Sequence, residues 1–198
     1  MKRYELQNHA KTLPIFSTKS LSLLSWEAPW YLSRQISEWA DKWMVIALKK
    51  WLSMLWEHRW SMHSFLIANK VCEPSYISCE SALSYRNMIP EWVMTTTSVT
   101  TKKTQQYTNA TWTYYYQSIT PQAFGWYTLI DGYFIATPEK ALLDYLWLHQ
   151  DILNEHLLES LRLDIPNTFT LTRCKEYLMQ YPYQSFRTNV ERYFFSCL

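Results

Sequence analysis

The chain has 198 residues, 19 Lys plus Arg against 17 Asp plus Glu, and two glycines beside eleven tryptophans. A composition 48% hydrophobic and 18% charged excludes disordered and fibrous classes, and no apolar run reaches the roughly 18 residues of a membrane span. Met1-Lys2-Arg3 is followed by polar residues rather than an apolar signal-peptide core, so the expectation is a soluble cytoplasmic protein of one domain or two small ones.

The glycine deficit carries further. Average usage of about 7% would give roughly 14 glycines. With only Gly125 and Gly132, neither G-x-x-x-x-G-K-[ST] nor G-x-G-x-x-G can be written. Trp26, Trp43, Trp51, Trp92 and Trp112 stand in turn-like or strand-interrupting strings, where chain geometry asks for glycine. The pattern predicts that many written tryptophans are glycines in the native protein, read from UGA codons reassigned to glycine. The alternative is a tryptophan-rich chain from an A/T-rich genome. Trp147, inside an apolar helical stretch, is expected to be tryptophan on either reading. Replacing every Trp by Gly still creates neither phosphate-loop motif.

In chain order, Ser17 to Leu24 reads as a short capped helix, Ser25 to Ala28 as a turn, and Pro29 as a helix start. Leu32, Ile36 and Ala40 mark one buried stripe of a helix over residues 30–42, with Ser33, Arg34, Ser37, Glu38 and Asp41 off that stripe. Met44 to Leu48 is an apolar strand, Lys49-Lys50 a basic turn and Leu52 to Leu55 a returning strand. Residues 1–63 hold nine basic and five acidic side chains, a balance of +4, while the remainder holds ten and twelve, a balance of −2. Helix, turn, helix and basic-tipped hairpin is the order of a winged helix-turn-helix, expected over residues 1–60. Arg34 would read a base edge, Ser33 and Ser37 would reach bases or phosphates, and Lys42, Lys49 and Lys50 would contact phosphates. A small helical cap with solvated charges is the plainer alternative.

The second part, residues 61–198, opens with a helix over 62–71. A helix over Cys79 to Tyr85 follows, with Ser78 as its cap and Glu80 in its first turn. Val93 to Thr101 and Thr111 to Ile119, dense in Thr, Val and Tyr, read as strands, with a short strand at Tyr107 and another at Phe134 to Ala136. Thr137 as cap, Pro138 at the first helical position and Glu139 in the first turn open a further helix. Helices over 152–163 and 171–180 complete an α+β chain with a mixed α/β C-terminal domain.

Three separated strings, Pro74 to Tyr85, Ile89-Pro90-Glu91 with Thr97 to Thr100, and Ile135 to Asp144, resemble the AbiEi family of antitoxins from abortive-infection systems; the resemblance spans roughly residues 17–150. It implies an N-terminal winged helix-turn-helix and a C-terminal antitoxin domain. It also implies a type IV antitoxin that binds repeats in its own promoter, represses its operon and counters a nucleotidyltransferase-like toxin, generally without a stable complex. Inverted repeats in the operator would suit a dimer, and monomers bound side by side are equally allowed. The matching motif residues are Ser78, Glu80, Thr137, Pro138, Glu139, Lys140 and Asp144. Lys50-Trp51-Leu52-Ser53 departs from the glycine-containing wing string usual in the family, as Trp43 departs in the first wing strand. A stand-alone regulator, or an interaction module with a decayed DNA-binding part, is the alternative function.

No enzyme, cofactor or metal site is expected. Thr137, Glu139, Lys140 and Asp144 are read as helix-capping and solvent-facing ion-pair residues, whose exposed members could form the antitoxin surface. His9, His58, His63, His149 and His156 are scattered singly, which supports neither metal ligation nor a catalytic triad. Cys72, Cys79, Cys174 and Cys197 form no zinc pattern and are expected to be reduced, mostly buried thiols. Alternation through Tyr114-Tyr115-Tyr116 predicts both core and surface rings.

Overall fold

The computed structural model describes residues 5, 6, 8, 14–109 and 112–195. Lys2, Arg3, His9, Lys11, Thr111 and Cys197 therefore lie outside the described residues.

A short strand β1 (Ile15–Ser17) leads into α1 (Thr18–Ser25). Ser17 caps α1 reciprocally: its Oγ accepts from Ser20 N at 2.9 Å, and Ser20 Oγ accepts from Ser17 N at 2.9 Å. After three residues, Pro29 starts α2 (Pro29–Asp41), whose buried residues are Leu32, Ile36 and Trp39. The predicted Ala40 is only half-buried; the 3.6-residue period turns the third buried position to Trp39, whose larger ring fills the core. Strands β2 (Val45–Lys49) and β3 (Leu52–Leu55) form a hairpin, and β3 also pairs with β1. Lys49 thus belongs to the strand and not to the turn.

The larger part is a six-stranded mixed sheet in the order β6-β7-β5-β4-β9-β8. Its strands are β4 (Ser75–Ile77), β5 (Thr96–Thr100), β6 (Gln105–Thr108), β7 (Thr113–Ser118), β8 (Tyr127–Ile130) and β9 (Tyr133–Ala136). β4 runs parallel to β9, and β5 parallel to β7, while the remaining neighbours are antiparallel. Helix α3 (Ser64–Val71) packs against β4, β5 and β9. Tyr116 points to that side, its hydroxyl donating to the Ala68 carbonyl at 2.6 Å. Tyr76 of β4 points to the other side, where α4 (Cys79–Tyr85) packs on α5 (Pro138–Leu148) and α5 on α7 (Leu171–Leu178). Between α5 and α7 lies α6 (Glu155–Leu161), and α8 (Gln184–Val190) follows them. Tyr114 and Tyr116 are buried and Tyr115 is exposed, as strand alternation requires.

The expected boundary at 60/61 falls just after a single 3₁₀ turn, Trp56–Arg59, but packing continues across it. Val45 and Leu55 join Phe16, Leu21, Leu32, Ile36 and Trp39 in an N-terminal core, whereas Ile46, Leu48, Leu52 and Met54 join the core of the larger part. The three-stranded sheet is therefore covered on both faces, which explains why all four residues of β3 are buried.

Three tryptophans have a left-handed backbone: Trp26 (φ 58°), Trp43 (φ 55°) and Trp126 (φ 53°). Trp26 N–H donates to Ser22 O at 3.0 Å, closing α1 with a left-handed C-terminal cap. At the end of α2, Trp43 N donates to Ala40 O and Met44 N to Trp39 O, each at 3.0 Å. Those two bonds make a Schellman motif with Trp43 in its glycine position. The equivalent place after α4 holds Asn87 (φ 57°), which tolerates that conformation. The Trp26 ring is 93% exposed, so it has little packing to offset the strain. Trp126 instead stacks on Tyr177 at 4.4 Å, and Trp147 is buried against Tyr181 and Phe186.

Trp26→Gly is accordingly expected to stabilise the protein by about 1 kcal/mol through relief of left-handed strain, whereas Trp147→Gly should cost at least about 3 kcal/mol. Chemical denaturation measures both. UGG codons at positions 26 and 43 would contradict the reassigned-glycine reading.

Candidate functional site

The residues of the third motif converge on one buried cluster. Thr137 caps α5, its hydroxyl accepting from Lys140 N at 3.4 Å, and Pro138 sets the first turn. That orientation turns Lys140 and Asp144, one helical turn apart, inward to the sheet. Both side chains are fully buried. Lys140 Nζ donates to Asp144 Oδ1 at 2.5 Å and to Tyr181 OH at 2.8 Å. Tyr181 OH donates to the same carboxylate oxygen at 2.9 Å. The second oxygen, Oδ2, accepts from Tyr76 OH at 2.9 Å and from Ser78 Oγ at 2.7 Å.

Several expectations are corrected here. Ser78 does not cap α4 with its side chain; the hydroxyl is spent on Asp144 instead. Lys140, Asp144 and Glu139 do not face solvent, so none of them can form an exposed antitoxin surface. Glu139 Oε1 accepts from Thr170 N at 2.9 Å, holding the start of α7 against α5. Glu80 is half-buried and lines an open cleft of about 500 Å³ with Trp92, Tyr115 and His149. Tyr76, inside the first motif string, and Tyr181, outside all three, complete the buried cluster; nothing in the sequence marked either as a partner of Asp144.

Burial, and then the Asp144 charge, pushes the Tyr76 and Tyr181 hydroxyls well above their ordinary range. Burial lowers the Lys140 pKa against the opposing pull of Asp144. Cys79 opens α4 just after β4 with φ 52°, at a strand-to-helix bend of the kind that can present a nucleophile. Its thiol is 1% exposed and burial raises its pKa, so thiolate chemistry is disfavoured there. Cys72, Cys79 and Cys174 are free and buried, the Cys174 thiol being pushed up to about 12 mainly by burial. Among the described residues no group of His, Cys, Asp or Glu could hold a metal ion, and no helix is long and apolar enough to cross a membrane.

The second residue set lies on α2 and the hairpin. Ser33, Arg34, Ser37, Lys42 and Lys50 are exposed. Arg34 Nε donates to Glu38 Oε1 at 3.2 Å, an exposed pair one turn apart and worth little to stability. Lys49, unlike these, does not extend freely into solvent. It is half-buried, donates to the Val71 carbonyl at 3.3 Å and lies 4.7 Å from the centre of the Tyr107 ring. The two sets are brought together in one molecule but not in one site.

No family model matches the chain, and no curated protein matches it.

Removing Asp144 leaves Lys140 buried without its counter-ion, so Asp144→Ala is expected to cost about 3–5 kcal/mol in urea unfolding. A loss below about 1 kcal/mol would contradict the geometry. At high pH, the folded state retains Tyr76 and Tyr181 protons that the unfolded chain releases near its ordinary value of 10.0. The native state then binds more protons, and stability falls as pH rises past that value. The lowered Lys140 pKa acts oppositely, raising stability with pH below its ordinary 10.5. Stability should therefore drop on going above pH 10, and less steeply in Tyr76→Phe; an unchanged slope in that variant would refute the assignment.

Proposed function

We propose that the chain is a DNA-binding antitoxin of the type IV class, which represses its own operon from a winged helix-turn-helix at residues 1–60 and counters a nucleotidyltransferase-like toxin through the part beyond. The observation that carries the DNA reading is the exposed face of α2. Ser33, Arg34 and Ser37 stand one turn or less apart on it, opposite the buried Leu32, Ile36 and Trp39. Two helices joined by a short turn and followed by a hairpin is the order in which the second helix enters the major groove. A guanidinium there can bond guanine through two atoms, while serine hydroxyls and Lys50 meet phosphates.

The toxin-directed half rests on the three motif strings. Burial of Glu139, Lys140 and Asp144 supports a binding protein over an enzyme, because a general acid or base must reach its substrate. The alternative of an interaction module with a decayed DNA-binding part is favoured by one observation, the exposed rings of Trp43 and Trp51 beside α2 and at the hairpin tip.

In a gel shift against the DNA directly upstream of its own reading frame, binding is expected to weaken as salt rises, and Arg34→Ala is expected to lose about tenfold in affinity. Unchanged binding in that variant overturns the recognition-helix assignment. Co-expression with the adjoining gene tests the antitoxin half: rescue of growth supports it, and an adjoining frame without toxicity contradicts it.

A further inference from the structure

A cleft of about 630 Å³ lies where α2, the β2–β3 hairpin and β6 meet. One wall carries Ser33 and Ser37, the hairpin contributes Lys49 and Lys50, and the opposite wall is Tyr107 and Thr108 of β6. No carboxylate lines it, although the chain carries 17 acidic residues; the cleft at Glu80 and the one holding Glu155 and Glu159 both contain acids. Hydroxyls plus ammonium groups, with no competing anion, are the donor set that meets sugar-phosphate oxygens.

We infer that β6, an element of the larger part, is the second wall of the nucleic-acid interface, so that one backbone of a DNA duplex lies in the cleft between α2 and β6. The inference rests on the DNA-binding reading of α2 and extends it to residues beyond 60. β6 is suited to this place because it is the outer strand of the six-stranded sheet, and its side chains at Gln106 and Thr108 are exposed. Tyr107 is half-buried, with its ring under the Lys49 ammonium at 4.7 Å and its hydroxyl donating to Gln105 Oε1 at 2.9 Å. Lys49, held further by the Val71 carbonyl, is a fixed charge at the cleft floor, whereas Lys50 is exposed at its mouth. A duplex is favoured over a basic or neutral peptide because the cleft carries two ammonium groups and no carboxylate, and over RNA because α2 presents a reading face alongside it.

The test is fluorescence anisotropy of the full chain with a labelled duplex of about 30 base pairs, some three helical turns, from its own upstream DNA. Thr108 is exposed, so charge can be placed there without disturbing the core. Thr108→Asp is expected to lose about tenfold in affinity and Thr108→Lys to gain severalfold, because the added charge faces phosphate. Weakening by both, no change in either, or tighter binding by Thr108→Asp overturns the inference. A duplex RNA of the same sequence bound more tightly than the DNA also overturns it. If Arg34→Ala leaves binding intact while the Thr108 variants shift it in opposite directions, the helix reading fails and the cleft stands. If the wild-type chain shows no salt-dependent binding, both fail.

Discussion

Asp144 is the constraint around which the larger part is assembled. Taking a carboxylate out of water is costly unless donors meet it, and both Asp144 oxygens are met from three places in the chain: Lys140 on its own helix, Tyr76 and Ser78 at β4, and Tyr181 after α7. Each alternative docking of α5 on the sheet would leave at least one of these charges or hydroxyls unpaired. The network thus specifies one arrangement of sheet, helix and C-terminal segment, a role that hydrophobic contacts of similar size perform less selectively. Glu139 adds a second tether by receiving the start of α7.

This arrangement has a consequence for function. Glu139, Lys140, Asp144 and the Cys79 thiol are sealed in the core. The proposed DNA contacts lie instead on the outer surface, on α2, the hairpin tip and the outer strand β6. Because the small sheet shares its second face with the larger core, α2 and β6 hold a defined relation to each other. A partner touching both would meet a preformed cleft and lose little freedom in ordering it.

Much of the fold was legible in the sequence, and the failures have physical reasons. Caps and prolines announced α1, α2 and α5, since Ser17, Pro29, Thr137 and Pro138 act through local backbone chemistry. Strands β1, β4 and β8 are three or four residues long, too short for alternation to register; β1 and β4 are held by neighbours far along the chain, and β8 by β9 across the tight Asp131-Gly132 turn. Helix α8 was missed because its aromatic and polar residues mix without a clear period. The buried cluster was half visible: spacing placed Lys140 and Asp144 on one helix face, but an i, i+4 ion pair reads the same on a surface as in a core. Burial was decided by Tyr76 and Tyr181, 68 and 37 residues away from Asp144. The tryptophan anomaly was legible from composition alone, and helix-cap geometry then singled out positions 26 and 43.

Duplex DNA held by α2, the hairpin and β6 together would shield all three segments from solvent. Hydrogen–deuterium exchange of the chain with and without its upstream duplex tests it most directly. Exchange is expected to slow over residues 29–41, 49–51 and 105–108, with the Asp144 core unchanged. Protection confined to residues outside these segments, or none at saturating DNA, would contradict it.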